Sequence, residues 1–164
     1  MTATDELLAN NASYVATFDQ GSLPLPPAKR VTVLACMDAR LDPAKALGLV
    51  EGDAHVIGNA GGVASEDALR SLVISQRLLG TEEIMLVHHT DCGMETFSDD
   101  AVEAQILEET GLRPSFSLEA FPKAEHDVRQ TAARIRANPF VPSENIRGFV
   151  YEVESGRLRE VGID

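Results

Sequence analysis

The sequence predicts an α/β fold: a central, mainly parallel sheet of four strands, with a fifth candidate pairing back antiparallel, flanked by helices and preceded by an N-terminal helical arm. Three observations predict it. Short apolar runs alternate with longer segments of helical periodicity, the βαβ pattern that builds a parallel sheet with helices on both faces. The runs Val31–Cys36 and Ile84–His88 do not alternate polar with apolar, so both faces of those strands are expected to be buried. The chain has 164 residues, 44% of them hydrophobic. That is enough for one domain with a core of Val, Leu, Ile and Ala that needs no disulfide or metal to fold.

Taken in order, residues 4–20 read as a helix, with Leu7, Leu8, Ala12, Val15 and Phe18 at helical spacing. Gly21-Ser22 ends it, and Leu23-Pro24-Leu25-Pro26-Pro27 cannot be helical. Residues 1–27 are therefore an arm on a stiff tether, and 28–164 a single α/β domain. The arm's apolar stripe needs a surface, on its own body or on a second subunit. Val31–Cys36 is the first strand, and Ala54–Ile57 the second, running into Gly58-Asn59-Ala60-Gly61-Gly62. Ser65–Leu79 is a helix with Ser65 as its cap, Glu66 and Asp67 in the acidic first turn, and Gly80 closing it. Ile84–His88 is the third strand. Ser98–Thr110 is a helix capped by Ser98 and stopped by Gly111. A further helix covers Pro122–Ala137, with Pro122 near its first turn. Ile146–Val153 is the fourth strand, Ser155-Gly156 a turn, and Arg157–Val161 the antiparallel candidate.

Charge excludes several classes of partner. Lys plus Arg number 14 against 26 Asp plus Glu, a net charge of −12. No basic footprint exists to neutralise nucleic-acid phosphates or to meet an anionic membrane. No apolar run reaches the roughly 18 residues that would span a bilayer. The first residues lack the basic-then-apolar order of a signal peptide. Two cysteines exclude a disulfide-dense scaffold. A cytoplasmic location is expected.

In doubly wound sheets, sites form beyond the carboxyl ends of the strands. Cys36, Asn59–Gly62 and His88–Cys92 all fall there. Taken singly, a buried cysteine is usually a small hydrophobe and Cys92 a turn residue. Taken together, two thiolates and the imidazole of His89 make a three-ligand zinc set with a fourth position left open, the mark of a catalytic site. Asp38 and Arg40 follow Cys36 on the same loop. The arginine's rigid fork can hold the carboxylate, though such a spacing also describes an ordinary surface ion pair. Gly61-Gly62 reads either as a tight turn or as backbone kept bare for close approach to a substrate or a second subunit. It is neither a dinucleotide fingerprint nor a phosphate-cradling loop, since the required glycine and Gly-Lys-Ser/Thr spacings are missing. Gly93, directly after Cys92, is placed to offer an amide to an oxyanion. His88 and His89 point to opposite sides of a strand, and His88 is expected to be a hydrogen-bonded structural histidine. His55 and His126 read as ordinary structural or surface residues.

Cys36-x-Asp38-x-Arg40, Asn59-Ala60-Gly61-Gly62 and His89-x-x-Cys92-Gly93 together resemble the motifs of the beta-class carbonic anhydrases, in particular their small bacterial members, over about residues 30–160. The resemblance implies a lyase that interconverts carbon dioxide and bicarbonate with water. It implies one zinc per chain on Cys36, His89 and Cys92, with Asp38 and Arg40 as the catalytic pair and Gly61, Gly62 and Gly93 against the substrate. It also implies a homodimer or an assembly of dimers. In some members of that family the aspartate becomes a fourth ligand and closes the site, and the motif allows both states. Two alternatives share the motifs: hydrolysis of a related heterocumulene such as carbon disulfide, and a non-enzymatic zinc-binding dimeric regulator.

Overall fold

The computed structural model describes residues 1–142 and 144–164. Five strands, β1 (Val31–Cys36), β2 (Ala54–Asn59), β3 (Glu83–His89), β4 (Ile146–Tyr151) and β5 (Leu158–Val161), form one sheet in the order β2-β1-β3-β4-β5. β1 runs parallel to β2 and β3, and β3 parallel to β4. β4 and β5 pair antiparallel, as the Ser155-Gly156 turn predicts.

Register divides the sheet into two faces. Thr32 pairs with Ile84, Leu34 with Leu86, and Leu86 with Gly148, so these side chains share one face. The two long helices α3 (Glu66–Arg77) and α5 (Ala124–Ala137) pack there. Leu34, Leu72, Leu86 and Ile135 are fully buried in one apolar cluster between them. Removing such side chains from water is worth about 1.5–3 kcal/mol each. Thr32, the polar residue inside β1, is satisfied by a 2.6 Å hydrogen bond to the Ser75 hydroxyl of α3. Gly148 lets α5 ride close on β4: a Cβ there would lie 2.3 Å from Val128 Cγ1. On the opposite face Val33, Ala35 and Val87 are covered by Leu41, Leu47 and Leu49, from α2 (Pro43–Leu47) and its flanks. β2 is an edge strand, and its Val56, paired with the buried Val33, is 48% exposed.

Several boundaries depart from the sequence reading, each for a local reason. α1 (Ala3–Val15) stops short of residue 20 in a turn, and begins in a capping box between Thr2 and Asp5. None of its residues is buried. α2 has only five residues, too few for periodicity to register. Its ends carry the signals nonetheless: the Asp42 carboxylate accepts from Ala44 and Lys45 amides, Pro43 opens the helix, and Gly48 closes it in the left-handed conformation. Ser98 occupies the N-cap position of α4 (Asp99–Thr110), but its hydroxyl caps nothing. The neighbouring Asp99 carboxylate instead accepts from the amides of Glu119 and Ala120. α5 begins at Ala124 rather than Pro122, and its first amide donates to Glu95 across a loop at 2.6 Å. β4 ends at Tyr151, two residues before the expected limit. Among the described residues no helix is long and apolar enough to cross a membrane.

Candidate metal centre

Two neighbouring parallel strands deliver the site. β1 ends at Cys36 and β3 at His89, and the chain leaving β3 turns back through Thr90 and Asp91 to Cys92. One ligand atom each from Cys36, His89 and Cys92 lies within 4.8 Å of the others, and all three residues are buried. Adjacent strand residues face opposite ways. His88 accordingly turns toward α5, where its Nε2 meets Asp127 Oδ2 at 2.7 Å, the hydrogen-bonded partner expected of it.

The donor set fits zinc. His89 Nδ1 donates to the Thr90 carbonyl at 2.9 Å, which fixes the tautomer and leaves the Nε2 lone pair free. That Nε2 is buried and has no hydrogen-bond partner. A buried polar nitrogen with nothing to bond is costly unless a ligand takes it, and two sulfurs stand beside it.

The thiols titrate as a pair. Cys36 is pushed down to about 4. The main cause is that its thiolate accepts a hydrogen bond from Cys92, against the opposing penalty of burial, with further help from His89. Cys92 is driven up, because losing its proton would forfeit that bond and set a second charge beside the first. Both thiols would have to give up their protons to hold a divalent cation. For His89, burial opposes the charged form, but the neighbouring Cys36 sulfur and the hydrogen bond to the Thr90 carbonyl outweigh it, and the net direction is upward.

Asp38 and Arg40 stand beside this triad. Arg40 Nε donates to Asp38 Oδ1 at 2.9 Å and Nη2 to Oδ2 at 2.8 Å, a two-point clasp that the loop reinforces with a bond from the Arg40 amide to Oδ1. The guanidinium bonds hold the Asp38 carboxyl well below the usual carboxylate range. Asp38 Oδ2 lies 3.7 Å from His89 Nε2, so the carboxylate borders the space that nitrogen faces. The outer edge of Arg40 is occupied too: Nη1 donates to Asp91 Oδ2 at 2.7 Å and Nη2 to the Asp91 carbonyl at 2.9 Å. The sequence reading passed over Asp91. Its signal was an acidic residue between the two ligands of a short turn, and nothing in the sequence says it faces Arg40, 51 residues away.

The glycines divide. Gly61 and Gly62 adopt φ of 85° and 73°, and the Asn59 side chain clamps their turn by bonding both the amide and the carbonyl of Val63. A Cβ on Gly62 would meet Cys36 N at 2.9 Å, so the turn is seated against the end of β1. A Cβ on Gly93 would meet nothing within 4 Å, which leaves space beside Cys92. Gly61 and Gly62 are themselves buried, so packing already requires them.

The model of the carbonic anhydrase family matches residues 31–158. Over 162 residues, 98% of this chain and 99% of the relative, the sequence is 56% identical to beta-carbonic anhydrase 1 of Mycobacterium tuberculosis. It is 37% identical to a carbon disulfide hydrolase of Acidithiobacillus thiooxidans over 82% of this chain and 78% of the relative. The crystal structure of a carbonic anhydrase from Streptococcus mutans superposes with a TM-score of 0.92 at 40% identity, covering 99% of both chains.

Proposed function

We propose that this chain, which belongs to the beta-carbonic anhydrase family, interconverts carbon dioxide and bicarbonate using one zinc ion held by Cys36, His89 and Cys92. The observation that carries the reading is the convergence of two thiol sulfurs and the unpartnered His89 Nε2 within 4.8 Å, with an arginine-clasped carboxylate at their border. Zinc bound there supplies a Lewis acid that brings the pKa of a water down to about 7.

The chain's own residues do the rest. Asp38 stays ionised across the neutral range, so it can accept a hydrogen bond from the attacking oxygen and aim its lone pair at the carbon of the substrate. It cannot take that proton outright at neutral pH, because its conjugate acid is far too strong. Arg40 clasps both oxygens of Asp38, and that clasp would keep the carboxylate from taking the fourth position itself. Gly93 leaves room for a small linear substrate beside Cys92 and offers a backbone amide to developing charge. Gly61 and Gly62 hold the neighbouring turn against Cys36, bounding the same space.

The second reading, hydrolysis of carbon disulfide, draws support from relatives of that name at 30–37% identity. The higher identity and near-complete mutual coverage of the carbonic anhydrase relative favour hydration. Stopped-flow hydration of carbon dioxide by zinc-loaded protein, run beside a sulfide-release assay with carbon disulfide, tests the choice. Hydration without sulfide release supports our reading. Sulfide release alone overturns it, and zinc binding with neither activity points to the regulator.

The same reading takes residues 1–27 as an arm that packs on a second copy, making a homodimer. It places the protein in the cytoplasm, where the ligating thiols stay reduced.

A further inference from the structure

The grip on Arg40 is more complete than a pair with Asp38 requires. Four hydrogen bonds, two to Asp38 and two to Asp91, take up all but one of the five N–H groups of the guanidinium. The two partners come from different strand ends: Asp38 from the loop after β1, Asp91 from the turn between the ligands His89 and Cys92. Asp91 sits at φ 55°, in the left-handed region that non-glycine residues seldom adopt. In that conformation its carboxylate and its own carbonyl both reach the guanidinium. Its side chain is 78% exposed, so water competes for the charge, and the attraction between the ions is worth little. What two contacts on one edge of a planar group do supply is direction.

We propose that Asp91 is a positioning residue that fixes the plane of Arg40 so that the Nε–Nη2 edge faces Asp38 and keeps that carboxylate off the metal position. Without the outer grip, the guanidinium can swing toward solvent and the clasp on Asp38 loosens, although every ligand atom remains. The inference rests on the carbon dioxide hydration reading for its consequence in rate, and on the geometry of the chain alone for the ordering of Arg40.

The test uses Asp91→Gly, because glycine accepts the left-handed turn while removing the carboxylate. Asp91→Asn is the conservative variant, since it keeps the turn and one acceptor oxygen. Zinc content is measured throughout. With zinc retained, Asp91→Gly is expected to lower kcat/KM about fivefold in the native background and to have almost no effect in an Arg40→Ala background. Asp91→Asn is expected to fall between Asp91→Gly and the native protein. An equal loss in both backgrounds would mean that Asp91 merely shapes its own turn, and would overturn the proposal, as would no loss in the native background. The second readout needs no activity. The Nε–H signal of Arg40 in ¹H–¹⁵N spectra should be protected from solvent exchange in the native protein and about fivefold less so in Asp91→Gly. Unchanged exchange overturns the proposal even if the rate falls. If the native protein fails to hydrate carbon dioxide, the functional reading is lost, while the exchange measurement still decides whether Asp91 orders Arg40.

Discussion

At the scale of single side chains, the proposed ligands stand together without competing partners. His89 donates through Nδ1 and has nothing to bond through Nε2, and the free, buried thiols of Cys36 and Cys92 lie beside it. Metal analysis should therefore find close to one zinc per chain. A Cys36→Ser, Cys92→Ser double variant should lose nearly all of it; full occupancy in that variant would refute the ligand assignment. Arg40 belongs to the same scale. Its removal as Arg40→Ala frees Asp38 to turn toward the metal's open position, and hydration is expected to fall at least about tenfold, or 1.4 kcal/mol. The sign with pH follows from Asp38. Because the Arg40 bonds hold its carboxyl below the ordinary range, its charge is constant through neutral pH and cannot produce a rise of activity there. On the proposed reading that rise would belong to the nucleophile drawn from water, with which the released Asp38 carboxylate would compete in Arg40→Ala. The midpoint of kcat/KM against pH should move upward in the variant, and superimposable profiles would count against the exchange. Asp38→Ala should keep its zinc and still be slow, because the orienting acceptor is gone.

At the scale of elements, the strands can deliver the ligands only because helices seat tightly against them. β4 shows how: Gly148 has no side chain where Val128 of α5 presses in, and a Cβ would come within 2.3 Å of Val128 Cγ1 and 2.9 Å of Ile163 Cγ2. Gly148→Ala should cost about 1–3 kcal/mol by overpacking. Val128→Ala alone opens a cavity. Combined, the added methyl fills part of the space left by the two that Val128→Ala removes, so the double variant should be more stable in urea denaturation than the sum of the singles implies. Simple additivity would mean that α5 shifts as a body instead. The same helix carries Asp127, whose bond to His88 ties it to the residue next to a ligand, and the Thr131 hydroxyl donates to the same carboxylate.

For the whole molecule, the telling feature is two apolar surfaces on one chain that do not meet. α1 exposes Leu7, Leu8 and Val15 at 62–66%, and the sheet leaves Val56 open on its edge strand β2. The arm touches its own body mainly through the hydrogen bond from Tyr14 Oη to Glu51 and through Leu23 lying against Gly52. Exposed stripes of this kind are stable when a second copy covers them. Deletion of residues 1–27 should therefore shift the protein toward monomer in light scattering and lower its Tm. A truncated chain that remains an equally stable dimer would remove the arm from the interface.

The strands and their order of appearance were legible because burial on both faces imposes unbroken apolar runs, as in Val31–Cys36. Helix α3 was legible through its apolar periodicity and its Ser65 cap, and α5 through Pro122, two residues before it begins. The grouping of Cys36, His89 and Cys92 was legible because thiols and imidazole at strand ends are unusual in a chain with only two cysteines. What the sequence by itself could not determine is everything that depends on contacts between distant residues. Helix α2 escaped because five residues hold too little periodicity. The idle Ser98 hydroxyl and the capping of α5 by Glu95 were settled by which loop came near. Placement of both long helices on a single face follows from strand order, which a linear pattern does not encode. The grip of Asp91 on Arg40 joins two strand ends brought side by side by the pairing of β1 with β3, and only the folded sheet decides that distance.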